Sequence, residues 1–117
     1  MAKRDAGAAF VNGVPELLIL RLLAGQEMYG YELVQAIRDQ SRETLAFGEG
    51  VVYPVLHALE KAGAITGHRR PVNGRSRIYY ALSPAGVSRL AELSELWSRV
   101  TGAVQQVLVG GVHANLV

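Results

Sequence analysis

Cysteine is absent from the 117 residues, which excludes disulfide bridges and thiolate metal centres and fits a reducing, cytoplasmic setting. Long apolar runs are missing too. The strongest one, LLIL at residues 17–20, is broken by Arg21, far short of the roughly 20 residues a membrane span needs. The opening MAKRDAGAAFVNG has bases but no apolar stretch of signal-peptide length, so residues 1–13 read as a short flexible arm. The three histidines, His57, His68 and His113, are too dispersed for metal-ligand spacing. No Ser, His and acid set or carboxylate pair has a context that gathers it into one pocket, so neither cofactor, metal nor catalysis is expected. The most informative absence is local. From Lys61 to Ala91 there is no acidic residue, and Lys61, Arg69, Arg70, Arg75, Arg77 and Arg89 all fall there. Residues 1–60 carry eight acids against five bases, so the formal net charge of +2 conceals a strong asymmetry. A field of one sign concentrated in this way steers a protein toward phosphates, although a solvated basic turn is the commoner meaning of any charge run.

What is present sorts into elements. PELLILRLLAG opens with a proline suited to a first helical position and closes on a glycine suited to a helix end. Its leucines cover nearly the whole circumference, so this helix is expected to pack on more than one side. GYELVQAIRDQS follows as a half-buried helix, with Leu33, Val34 and Ile37 on one side. In GEGVVYPVLHALEKAG, Val52, Val55, Leu56, Leu59 and Ala62 form a buried stripe at three- and four-residue spacing. Tyr53, Pro54, His57, Glu60 and Lys61 are left toward solvent, and an exposed face mixing Tyr, His and Lys suits a phosphate-lined groove.

After Gly63 the period changes to two. AITGHRR and RSRIYYAL flank PVNG, whose Asn73-Gly74 pair favours the positive φ of a tight hairpin turn. In the second strand Ile78, Tyr80 and Leu82 can face a core while Arg77 and Tyr79 face out. Ser83-Pro84 then gives a capping hydroxyl followed by a helix-starting proline. Leu90, Leu93, Trp97, Val100, Val104 and Val107 follow at intervals of 3, 4, 3, 4 and 3, a heptad seam running to about Leu108. The fold expected is mainly α (α+β): a winged helix-turn-helix over 14–83, a pairing helix over 84–109 and a frayed tail over 110–117.

In this order the words LLILRLLAGQEMYGYEL, GVVYPVLHALEKAGAI, RSRIYYALSPAG and ELWSRV resemble the PadR-like transcriptional regulators, in particular small members with one C-terminal helix. The likeness spans about residues 14–101. One departure is Val51-Val52-Tyr53 where the family usually has Thr-Leu-Tyr, which removes a hydroxyl that can cap the helix or meet a phosphate.

The resemblance implies a cytoplasmic homodimeric repressor on double-stranded DNA. Contacts are expected from Gly50, Val51, Tyr53, Pro54, His57 and Lys61 in the groove and from Arg69, Arg70, Arg75 and Arg77 along the backbone. Leu17, Leu20, Leu90, Leu93, Trp97, Val100, Val104 and Val107 are expected at the dimer interface. In small multidrug sensors of this kind the tryptophan of the matching SWSRV stretch stacks on flat aromatic ligands. By that resemblance Trp97, Leu93 and Val100 are candidates for a pocket taking a planar aromatic small molecule, with part of the first helix as a wall. Ser94 and Thr101 differ from those sensors, and packing of Trp97 into a seam is an equal alternative. Tyr29, Tyr31 and Tyr80 are expected to pack rather than bind. The competing reading is a winged-helix protein-interaction module that never enters a groove. For that module, alanine at Arg69, Arg70, Arg75 and Arg77 would leave partner binding intact.

Overall fold

The computed structural model describes the backbone of residues 2–116 and the side chains of residues 13–110. Seven elements follow one another: α1 (Ala2–Gly25), β1 (Met28–Tyr29), α2 (Gly30–Gln40), α3 (Glu49–Lys61), β2 (Ile65–Val72), β3 (Arg75–Leu82) and α4 (Pro84–Leu116).

The core forms where the apolar stripes of these elements meet. Ile19, Leu20 and Leu23 of α1, Leu33, Val34 and Ile37 of α2, and Val52, Leu56 and Leu59 of α3 close around Met28, Ile65 and Tyr80 of the sheet, with Leu93 of α4 beside them. Each such side chain contributes about 1.5–3 kcal/mol when it leaves water. No charged or polar residue is buried among the described residues.

Local sequence sets the element ends. The Ala64 N–H donates to the Leu59 carbonyl (2.9 Å) and the Gly63 N–H to that of Glu60 (3.0 Å), while Gly63 sits at φ 80°, a paired closure that only a residue tolerant of positive φ completes without strain. Asn73 (φ 52°) and Gly74 (φ 78°) make the expected tight turn between β2 and β3. Ser83 caps α4: its Oγ accepts from the Gly86 N–H at 3.1 Å and donates to the Gly63 carbonyl. The start of α4 is thereby tied to the end of α3. Gly86 is needed there, because a Cβ at that position would lie 2.1 Å from the Ala64 carbonyl oxygen.

Three expectations change. The expected β2–β3 hairpin forms but gains a third strand at its base: Met28 pairs with Tyr80 and Tyr29 with Tyr79, giving an antiparallel sheet in the order β1-β3-β2. A strand of two residues has no periodicity to read, and tertiary pairing alone creates it. Second, Pro15 lies inside α1 rather than at its start; a helix passes a proline when only the affected hydrogen bond is lost. Third, α4 is assigned to Leu116 rather than to about Leu108, since the glycines beyond weaken a helix without stopping it. The expected looseness of the arm at 1–13 and of the tail at 110–117 falls almost wholly on residues outside the described side chains. No helix among the described residues is long and apolar enough to cross a membrane.

Candidate nucleic-acid interface

The outer surface is built by the exposed side of α3 and by the wing. Gly50, Val51, Pro54, His57 and Lys61 are exposed. Tyr53 is only half so, because its ring lies against the backbone of Gly30: a Cβ on Gly30 would stand 2.5 Å from ring atoms. Burial, and secondarily the charge of Glu49, raises the Tyr53 phenol above its ordinary value, so it stays a neutral donor. Tyr53 and His57 sit one turn apart with ring centroids 6.5 Å from each other. Between them, the start of α2 and β3 opens a cleft of about 460 Å³ lined by Tyr29, Gly30, Tyr31, Tyr53, His57, Arg75, Ser76, Arg77, Ile78 and Tyr80.

The pairing register decides how the wing presents its arginines. Residues opposite each other across an antiparallel pair share a face. Arg70 opposes Arg77, Val72 opposes Arg75 and His68 opposes Tyr79, so these lie on the outer face, joined by Tyr29 through its pairing with Tyr79. Arg69 opposes Ile78 and belongs to the other face. On the outer face cations and rings interleave. The Arg70 guanidinium stands 4.1 Å over the Tyr79 ring, Arg77 stands 4.4 Å over Tyr29, and the two tyrosines meet edge to face at 5.3 Å. Arg70 Nη2 also donates to Glu27 Oε1, which His68 Nε2 approaches at 3.2 Å. Arg69 and Arg75 form no ion pair or ring contact among the described residues. Arg89 is engaged by Glu16 of α1, which accepts from its Nε at 2.7 Å and raises the guanidinium's pKa.

The structure therefore gathers Tyr53, His57, Arg75 and Arg77 around one cleft. It leaves Gly50, Val51 and Pro54 on the exposed flank of α3, Lys61 at its last turn, Arg69 on the opposite face of the hairpin and Arg70 engaged with Glu27. The tyrosines refine what the sequence offered. Tyr80 is buried at 3% exposure as expected, but Tyr31 is 51% exposed with its hydroxyl accepting from Gln35 (3.0 Å), and Tyr29 is the platform under Arg77. Nothing in the local pattern of MYGYEL distinguishes these roles; the pairing of β1 does.

The residues expected on the α4 seam divide. Leu20 is fully buried in the chain's own core and Leu93 nearly so at 7%, so neither is open to a partner: both are corrected to core positions. A helix apolar all round does not reveal which side its own chain covers. Leu17 and Leu90 pack partly against that core, whereas Val100 is half-buried and Trp97, Val104 and Val107 are exposed. Of the pocket candidates, Trp97 and Val100 reach the α4 surface and Leu93 lies beneath it. Among the described residues no group of three or more His, Cys, Asp or Glu could hold a metal ion.

Comparison with known proteins places this architecture. The profile of the transcriptional regulator PadR-like family matches residues 19–92. A transcriptional regulator of Mycobacterium tuberculosis is 36% identical over 97 residues, covering 80% of this chain and 88% of that protein. Among solved structures, a transcriptional regulator from Clostridium thermocellum superposes with a TM-score of 0.77 at 27% identity, over 82% of this chain and 91% of that one. Bacillus subtilis PadR, solved in complex with operator DNA, has a TM-score of 0.63 at 24% identity over 68% of this chain and 45% of its own, a likeness of fold. Winged helix, long terminal helix and sequence profile agree: this chain belongs to the PadR-like family of transcriptional regulators.

Proposed function

We propose that the chain works as a homodimer on operator DNA, as a repressor, with α3 in the major groove and the wing along the flanking backbone. The observation that carries the reading is the cleft in which Tyr53 and His57 of α3 meet Arg75 and Arg77 of β3, so that groups able to read base edges and groups able to hold phosphates point into one space. Fold likeness to a protein solved on operator DNA supports it. Arg75, Arg77 and Arg69 are the phosphate contacts; Gly50, Val51, Tyr53, Pro54 and His57 enter the groove, and Lys61 meets the backbone at its edge.

Titration of a duplex from the neighbouring promoter at several salt concentrations tests this. With three or four phosphates neutralised per protomer, log affinity falls against log salt with a slope of about −5 to −7 per dimer. The double variant Arg75→Ala, Arg77→Ala flattens that slope by about 3 to 4 per dimer. A flat profile for the unaltered protein would remove the mechanism and favour a protein-interaction module.

The pairing surface is the exposed side of α4, which carries Trp97, Val104 and Val107. A planar aromatic effector is proposed to bind near Trp97 and Val100 where two such helices meet, relieving repression by favouring one separation of the wings over another. Trp97 is the single tryptophan, so its emission reports the site directly. Quenching by planar cationic dyes supports a pocket, and indifference to a broad panel assigns the indole to packing.

A further inference from the structure

The acid nearest the wing is Glu27, one residue before β1. Strand order places β3 between β1 and β2, so Arg70 reaches Glu27 diagonally, across two strand spacings (about 9.6 Å measured across the sheet) and several residues along the strands. Arg70 spans that gap lying down. Its guanidinium crosses the Tyr79 ring at 4.1 Å and ends on Glu27 Oε1, the same oxygen that His68 Nε2 approaches at 3.2 Å. A side chain stretched flat over the sheet and closed on a carboxylate is not extended toward a duplex. Arg77, by contrast, rests on Tyr29 with no carboxylate at its end, and Arg75 has neither ring nor acid among the described residues.

We infer that Glu27 is a positioning residue that withholds Arg70 from DNA, occupying on the sheet the place a phosphate would otherwise take and so limiting the sequence-independent part of the affinity. This rests on the DNA-binding reading above. A phosphate contact carries no sequence information but adds to attraction for every duplex alike. An acid that cancels one such contact per protomer lowers the hold on random DNA and leaves the α3 contacts untouched. The pair is exposed, with side-chain accessibilities of 47% for Arg70 and 41% for Glu27, so it contributes little to folding and can be removed cleanly.

The test is a double-mutant cycle on the full chain with a random-sequence duplex of about 40 base pairs, read as affinity against salt. Glu27→Gln is expected to tighten binding about five- to tenfold at low salt and to steepen the log-log slope by about 2 per dimer. Arg70→Ala in the unaltered background is expected to change affinity less than about twofold, while in the Glu27→Gln background it abolishes the gain. Equal losses from Arg70→Ala in both backgrounds, or no change of slope with Glu27→Gln, would overturn the inference. Glu27→Ala repeats the cycle should the amide misfold, and the same outcomes apply. If the unaltered protein ignores the duplex at low salt, the DNA-binding reading itself fails, which is a different result from a cycle without coupling.

Discussion

Arg42 holds the left-handed conformation that ends α2, with φ 51°, and Glu43 follows at φ 61°. The Glu43 N–H donates to the Arg38 carbonyl at 2.8 Å and the Arg42 N–H to that of Asp39 at 3.1 Å, the same closure that Gly63 completes for α3. A residue with a Cβ pays about 1 kcal/mol for this backbone, so Arg42→Gly is expected to stabilise the fold by about 0.5–1 kcal/mol in urea unfolding. Tyr80 makes a second residue-scale case. Burial, then the charge of Glu60, raises its phenol above the ordinary 10. The neutral form is therefore favoured in the folded chain, and the associated stability is intact below pH 10 and lost as pH climbs through the higher folded value. Tyr80→Phe should blunt that alkaline fall in thermal unfolding measured between pH 9 and about 11.5.

Elements were legible where a local signal carried them. Asn73-Gly74, Gly63 and Ser83-Pro84 each name a backbone geometry that few other residues satisfy, and the Val52, Leu56, Leu59 stripe fixes which side of α3 faces inward. Illegible features join distant segments. Glu27 meets Arg70 across 43 positions, and the two-residue β1 exists only because β3 offers an edge. Likewise Leu20 and Leu93 belong to an apolar pattern that serves inner and outer packing equally, so only their burial assigns them. As for the candidate site, the sequence supplied its residue types and charge, while the cleft uniting Tyr53, His57, Arg75 and Arg77 needed the register of β3. One element-scale prediction concerns Gly102, which lies on the side of α4 opposite the Trp97, Val100 and Val104 seam and whose Cβ would meet nothing within 4 Å. Gly102→Ala is expected to add about 1 kcal/mol per protomer by helix propensity alone, with the sedimentation behaviour unchanged.

At the scale of the whole molecule, the radius of gyration is 17.2 Å and the extents are 67 × 30 × 23 Å, against about 13 Å expected for a compact chain of this length. The excess is α4, which leaves the core after Leu93 and carries Val104 at 52% and Val107 at 75% exposure. An apolar stripe on a projecting helix is stable in water when a second copy covers it. Val104→Asp together with Val107→Asp is accordingly expected to shift the protein to monomer at micromolar concentration in analytical ultracentrifugation and to weaken duplex binding at least tenfold, since two linked sites become one.

No hinge separates hairpin from rod. Leu82 ends the last strand, Ser83 is pinned to the Gly63 carbonyl and Pro84 begins the helix. From Pro84 to Leu108 the helix is about 37 Å long, so a tilt of roughly 5° between two copies paired as proposed changes the separation of their arginine-bearing tips by about 3 Å. On the proposed pairing, a small angular adjustment far out on the two helices becomes a translation at the tips comparable to the length of a hydrogen bond.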